Sequence, residues 1–184
     1  IYPLSLHDAL PICLTWEAFI ELPEELLRHA ELHDGEVVEM ASPDRPHQLT
    51  LVNLIGALLP WVREHGGELV PDPHVRIADY WGYQPDLAYY SPDRVPGSGY
   101  WKLAPNLAVE ILSPSTRRKD LLRKPTHYFS VDVQELWLVD CDERVFHVLL
   151  PSGEYHEWVD GDSASSPLLP GFEVAVTDLI SQVS

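Results

Sequence analysis

The stretch NLAVEILSPSTRRKDLLRKPTHYF, residues 106–129, decides the fold that the rest of the chain is expected to adopt. Residues 107–112 are apolar except for Glu110, a pattern typical of a strand buried on both faces of a sheet. An ionised carboxylate inside a sheet is costly unless a cation, a metal ion or several hydrogen-bond donors compensate it. A basic segment follows directly, containing Arg117, Arg118, Lys119, Arg123 and Lys124. We therefore hypothesise that Glu110 is a metal ligand and that a cation from this segment completes the site.

A second acid begins another apolar segment. Asp86 opens a predicted strand over Pro85–Tyr90 and shares a face with Ala88 and Tyr90. If this strand pairs with the one that carries Glu110, the two carboxylates can converge. Carboxylates, water and phosphate oxygens are the ligands that typically hold Mg²⁺. The alternative is that Asp86 caps a turn and Glu110 pairs with an arginine.

The remaining patterns predict helices and mixed strands of an α+β or α/β sandwich, with a C-terminal β-hairpin. The predicted helices are Thr15–Ile20, a second from Pro23, His47–His65 with a kink or break at Pro60, and Ser115–Ser130 with a bend at Pro125. The other predicted strands are a hairpin over His29–Met40, Glu68–Ala78, Leu136–Asp140, the hairpin of Arg144–Leu150 and Glu154–Val159, and Glu173–Val176.

Composition limits the possible functions. The 184 residues are enough for one well-cored domain, which we expect over residues 13–184. No apolar run is long enough to cross a bilayer, and two distant cysteines favour a reducing, cytoplasmic setting over a disulfide framework. The formal net charge of -17 disfavours a protein that grips DNA through an overall basic surface. Any binding of nucleic acid must therefore use a local basic patch or metal ions.

Residues 1–12 are expected to be non-native. They show no helical or strand period, and residues 5–12 resemble the translation of a common sequencing-adapter oligonucleotide. We exclude them from the prediction of the fold.

An ordered set of motifs then indicates a family. The set contains LHDGEVVEM at 32–40, Ser42-Pro43, His47, QPDL at 84–87, VEILSPST at 109–116, Asp120, Lys124, Tyr128, and ELWLVD at 135–140. It resembles the Uma-type family of restriction endonuclease-like proteins, which are similar to the PD-(D/E)XK nucleases, over Leu14 to about Ile180. The resemblance implies a mixed central sheet flanked by helices and a magnesium-dependent endonuclease that cuts DNA, with Mn²⁺ able to substitute and a homodimer as one possible assembly.

The same resemblance assigns roles to individual residues. Asp86 and Glu110 match the two metal-binding acids, and Glu31 matches a further acid that binds a metal or orients water. The superfamily lysine normally follows the second acid by two residues, where this chain has Leu112, and Lys124 on the next helix is expected to replace it. The remaining residues, expected behind the metal ligands or at the substrate, are His47, Ser115, Thr116, Arg117 and Arg118.

Each of these assignments has a structural alternative. Lys124 can face solvent, Glu31 can be an ordinary acid, and His47 can cap a helix. Tyr128 and Trp137 are interpreted as core residues, and Trp81 and Tyr83 as loop packing in preference to base stacking. A catalytically inactive domain of the same fold that serves binding or assembly is therefore the alternative function. A metal-free protein that binds small molecules has no positive signal in the sequence.

Overall fold

The computed structural model describes residues 13–95, 103–112 and 123–180. The helices are α1 (Trp16–Ile20), α2 (Glu24–Leu27), α3 (Arg45–His65), α4 (Lys124–Ser130) and α5 (Val176–Leu179). The strands are β1 (Ala30–His33), β2 (Glu36–Glu39), β3 (Glu68–Pro71), β4 (Val75–Ala78), β5 (Trp81–Tyr83), β6 (Leu87–Tyr90), β7 (Leu107–Leu112), β8 (Glu135–Asp140), β9 (Val145–Leu149), β10 (Tyr155–Val159), β11 (Ser163–Ser165) and β12 (Glu173–Ala175).

These residues form two compact units. The first contains the described residues up to Ser42 together with Arg76–Gln84. The second contains Pro43–Val75 and the described residues from Pro85 onwards. The expectation of one domain over residues 13–184 stays a prediction.

The first unit packs two short helices with a four-stranded sheet in the order β2-β1-β5-β4. Its apolar cluster consists of Leu14, Trp16, Phe19, Leu27, Ala30 and Leu32. Thr15 caps α1 by accepting the N–H of Ala18, as its position before the helix predicts. The β1–β2 hairpin turns at Asp34 and Gly35, which have φ angles of 52° and 79°. A two-residue hairpin turn of this kind requires positive φ at both central residues, and Asp-Gly meets this requirement. The predicted hairpin is therefore confirmed.

The second unit is built on a six-stranded sheet in the order β10-β9-β8-β7-β6-β3. β7 and β8 run parallel, and every other neighbouring pair is antiparallel. The predicted hairpin of β9 and β10 extends one side of this sheet. β7 therefore occupies an interior position, which explains why all six of its residues are buried.

The two faces of β7 contact different parts of the second unit. Leu107, Val109 and Ile111 belong to the main apolar cluster, to which α3 contributes Leu51, Leu54, Leu58 and Val62. Glu110 projects from the alternate face, where α4 lies. A mixed sheet flanked by helices was predicted from the sequence, and the structure confirms it.

Helix α3 differs from its prediction in two respects. It begins at Arg45, because Asp44 is its N-cap and accepts the N–H of His47 at 3.0 Å. It also continues through Pro60, so the predicted break is absent, whereas the kink that was its alternative stays a prediction. Proline removes one helical hydrogen bond, but buried leucines and Val62 hold the helix against the sheet on both sides of that position.

The prediction of one continuous strand over Glu68–Ala78 was wrong. The stretch forms two strands, because Asp72 adopts a φ of 50° before Pro73 and ends β3. β3 pairs with β6, whereas β4 belongs to the sheet of the first unit. The short elements β5, β11 and α5 were not predicted. None of the helices in the described part of the chain has the length and apolarity that a membrane crossing requires.

Candidate active site

Glu110 is the centre of the site because it is a buried acid within an interior strand. Its side chain is only 6 % exposed. The strand register places it opposite Leu138 of β8, so that neighbour offers no hydrogen bond from its side chain. The donors that the structure describes come from the helix that covers this face of the sheet.

Helix α4 supplies a donor to each oxygen of Glu110. The ammonium of Lys124 donates to Oε2 at 2.8 Å, and the hydroxyl of Tyr128 donates to Oε1 at 2.6 Å. Residues four apart lie on the same face of a helix, so one short element presents both groups. Lys124 and Tyr128 are themselves buried. Among the residues that the structure describes, Lys124 is thus a cation beside Glu110, and it is buried and does not face solvent.

Pro125 does not disturb this arrangement. It lies in the first turn of α4, where a missing N–H removes no helical hydrogen bond and the fixed φ favours the helix. The described helix begins at Lys124, and residues 115–122 of the predicted helix lie outside the described residues, so the bend at Pro125 stays a prediction. Pro125 helps to start the helix that carries Lys124.

Asp86 lies at the end of the ladder between β6 and β7. Its Oδ2 accepts the N–H of Ile111, the residue after Glu110, at 2.6 Å. β6 and β7 pair antiparallel with Leu87 opposite Val109, so the next position in this register sets Asp86 opposite Glu110. The predicted pairing of the two acid-bearing strands is confirmed. Asp86 is 18 % exposed, three times as much as Glu110, and is the more accessible acid.

His47 holds the second oxygen of Asp86. Its Nε2 lies 2.9 Å from Oδ1 of Asp86. Burial alone lowers the pKa of His47, but the hydrogen bond and charge of Asp86, with Asp44 and Asp72 nearby, outweigh burial and raise the pKa above its ordinary value. Nδ1 of His47 is buried and has no hydrogen-bond partner among the residues that the structure describes. His47 therefore orients Asp86, whereas the capping role belongs to Asp44.

Glu31 lies in the first unit and is almost completely buried. Its carboxylate accepts the N–H of Gln84 at 3.1 Å and lies 2.8 Å from Nε2 of His33. The ring of His33 stacks on Trp81, with centroids 5.4 Å apart. In the described ranges, no group of three or more His, Cys, Asp or Glu side chains is arranged to hold a metal ion. The metal-binding role of Glu31 stays a prediction.

Comparison with known proteins places the chain in a family. A model of the Uma2 family, described as "Putative restriction endonuclease", matches residues 16–177. The chain belongs to the Uma2 family. It is also similar to a crystal structure described as a putative nuclease belonging to DUF820 from Anabaena variabilis ATCC 29413. The match covers 92% of this chain and 97% of that chain, with a TM-score of 0.79 and 21% identity, and it shows the fold. No curated protein matches the sequence.

At the position where the resemblance described above places a lysine, this Uma2 chain has Leu112. The side chain there is 3% exposed, and its register partner on β8 is Asp140. Lys124 instead brings an ammonium to Glu110 from α4.

Two groups of predicted residues remain to be placed. Ser115, Thr116, Arg117 and Arg118 lie outside the described residues, so their contact with a phosphate stays a prediction. Tyr128 was interpreted as a core residue, and its hydrogen bond to Glu110 was missed. Its spacing of four residues from Lys124 on a predicted helix was the available signal.

Proposed function

We propose that this Uma2 chain is a metal-dependent endonuclease that hydrolyses DNA phosphodiester bonds. One observation carries the proposal: Lys124 and Tyr128 reach the buried Glu110 from α4, while the N–H next to Glu110 holds Asp86. Two acids and a lysine are thereby gathered around one end of a strand pair. Membership of a family described as restriction endonucleases supports DNA as the substrate.

The residues present fit a divalent cation. A carboxylate has about four lone-pair sites, so it can accept hydrogen bonds and bind a metal ion at the same time. Carboxylate oxygens are the ligands that Mg²⁺ prefers, and a partly exposed Asp86 admits water to complete its shell. We propose that Asp86 and Glu110 hold Mg²⁺, with Mn²⁺ able to substitute. When bound, the ion supplies Lewis acidity toward a phosphoryl oxygen and a more acidic water.

The chain's own residues then perform separate tasks. Lys124 stabilises negative charge that develops on the phosphate oxygens, because its ammonium is buried and held at Glu110. His47 keeps the carboxylate of Asp86 in one orientation. Ser115, Thr116, Arg117 and Arg118 are proposed to contact the phosphate backbone, which gives a protein with a net charge of -17 a local basic surface.

An inactive binding or assembly module of the same fold is the second candidate. The observation that favours it is that protein donors already hold both oxygens of Glu110, which neutralises the buried charge without any metal ion. The two candidates differ in whether divalent ions produce cleavage.

Nicking of supercoiled plasmid separates them. The wild-type chain is incubated with plasmid and Mg²⁺ or Mn²⁺, with chelator in a parallel sample. Asp86→Asn and Glu110→Gln keep the side-chain shapes and remove the charges, so both should abolish nicking. Glu64→Gln is the matched control, because it removes an exposed carboxylate at the end of α3.

The result expected from an endonuclease is nicking by the wild type and by Glu64→Gln in the presence of the ion alone. Cleavage in the presence of the chelator would contradict the proposal, and so would unchanged cleavage by Asp86→Asn and Glu110→Gln. No cleavage of any plasmid or single-stranded DNA by the wild type favours the inactive module.

A further inference from the structure

We infer that Tyr128 is a positioning residue that fixes the orientation of the Glu110 carboxylate for metal binding; the inference rests on the function proposed above. Tyr128 is fully buried and donates to Oε1 of Glu110 at 2.6 Å. A phenol has one hydrogen to donate, and here it goes to a carboxylate, which makes the bond charge-assisted. A residue that only filled space would need the ring without the hydroxyl.

The geometry explains why Glu110 needs such a residue. The last torsion of a glutamate side chain is broad, so the strand backbone alone does not fix the carboxylate plane. Lys124 holds Oε2, but its four-carbon stem is flexible. Tyr128 holds Oε1 through a rigid ring that is packed on all sides. The rigid contact therefore sets the orientation of the carboxylate.

The two oxygens consequently have different tasks. Oε1 is the anchored oxygen, because Tyr128 retains it whatever Lys124 does. Oε2 is held by the ammonium of Lys124, whose four-carbon stem fixes the carboxylate plane less firmly than the ring of Tyr128 does. Loss of the Tyr128 hydroxyl should let the carboxylate rotate, so that the cation meets Glu110 in several orientations in place of one.

The test compares two buried tyrosines of the second unit. Tyr128→Phe removes the hydroxyl that contacts Glu110, and Tyr89→Phe removes a hydroxyl that donates to the carbonyl of Gly66 at 3.1 Å within the main apolar cluster. Binding of Mn²⁺ by the metal-free full-length chain is measured by calorimetry, melting temperature by circular dichroism, and plasmid nicking by initial rates.

Loss of an orienting partner typically weakens metal binding or activity about 10- to 100-fold, and we expect Tyr128→Phe to weaken Mn²⁺ binding within this range. Its melting temperature should also fall, because a buried carboxylate loses a donor, whereas Tyr89→Phe should bind Mn²⁺ like the wild type. For nicking, kcat should fall while KM for plasmid stays unchanged, because Tyr128 orients a ligand and does not touch DNA.

The outcomes separate the two proposals. If the wild type binds Mn²⁺ and cuts, and Tyr128→Phe does both equally well, the positioning role is overturned and the endonuclease stands. A lower melting temperature with unchanged Mn²⁺ affinity also overturns it, because that result indicates a structural hydrogen bond only. A wild type that neither binds Mn²⁺ nor cuts removes both proposals.

Discussion

At the scale of single residues, burial of the Glu110–Lys124 pair costs hydration free energy. Each of the two charges then depends on the other for compensation. Both side chains are nearly buried, 6% and 5% exposed respectively, so each has lost most of its hydration. A buried pair of this kind often contributes little net stability, yet the removal of one partner leaves an uncompensated charge. Its retention in an interior strand is better explained by a chemical task than by stability.

The first prediction concerns that dependence. Lys124→Met should lower the free energy of unfolding by about 3–5 kcal/mol, because Glu110 then lies buried without its cation. The double variant Lys124→Met/Glu110→Met should recover most of the loss, because no charge is left buried. Urea unfolding at neutral pH measures both.

Arg28→Met provides the matched control for Lys124→Met. Arg28 also pairs with a glutamate, Glu24, but the two side chains are 67% and 85% exposed. An exposed pair contributes about 0–1 kcal/mol, so this variant should unfold almost like the wild type. Equal losses in Arg28→Met and Lys124→Met would contradict the burial argument.

The second prediction concerns another buried acid, Glu135, which is not part of the site. Its carboxylate accepts hydrogen bonds from Trp137 Nε1 at 2.6 Å, Ser166 Oγ at 2.5 Å and Leu168 N at 2.9 Å. Glu135→Gln replaces one acceptor oxygen with a donor NH₂ that must face one of these donors. The loss should be about 1–3 kcal/mol or more in urea unfolding, with Glu64→Gln unchanged. A neutral result would show that the loop at residues 166–168 moves freely to accommodate the amide.

At the scale of elements, helix α4 shows which features local sequence can reveal. Glu110 is recognisable because a charge interrupts an apolar strand, and Lys124 because a basic segment follows it. The Tyr128 hydroxyl has a weaker signal, its spacing of four residues from Lys124, because a buried aromatic ring in a helix is usually a core residue. Its role depends on α4 lying over the Glu110 face of β7, which is a tertiary fact.

The errors in the predicted elements have local and tertiary causes. In the run Glu68–Ala78 the positive φ of Asp72 ends β3, and long-range pairing places β3 and β4 in different sheets. Pro60 breaks the local rules for a helix, but packing of α3 on the sheet overrides them. Local sequence patterns thus predict which helices and strands form, and tertiary contacts help to determine where each element ends.

The third prediction concerns the β9–β10 hairpin. Burial lowers the pKa of His147, although Glu157 and Asp140 partly oppose the shift. The unfolded chain, in which a histidine has a pKa of about 6.5, therefore takes up a proton before the folded chain does. Stability from the neutral ring is complete above that pH and falls as the pH drops through and below it.

His147→Gln should remove part of this loss. Unfolding free energies are measured by urea at several pH values from neutral to mildly acidic, and the variant should show the shallower decline. Tyr155 hydrogen-bonds Glu157 and its pKa is raised to about 12, so it stays neutral throughout the measurement. A steeper decline in His147→Gln would show that Glu157 outweighs burial.

At the scale of the whole molecule, the acidic total is the main constraint on function. A net charge of -17 repels a phosphate backbone at long range, so a nuclease site in this chain depends on divalent ions and a local basic segment. Family and fold follow from ordered motifs that extend over most of the chain. The sequence does not identify the residues that would contact DNA, because the charge near a site depends on folding and not on the net charge of the chain.

The last prediction tests whether the second unit binds a divalent ion. A ligand that binds only the folded state raises the free energy of unfolding by RT ln(1 + [L]/Kd), about 2.7 kcal/mol at a concentration of one hundred times Kd. Mn²⁺ should therefore raise the melting temperature of the wild type in a saturable manner. NaCl at matched ionic strength is the comparison, because screening of an acidic protein also stabilises it but without saturation at low concentration. Asp86→Asn should keep the response to NaCl and lose the response to Mn²⁺. If Mn²⁺ and NaCl act alike on both proteins, the ion only screens charge and Asp86 with Glu110 is not a metal site.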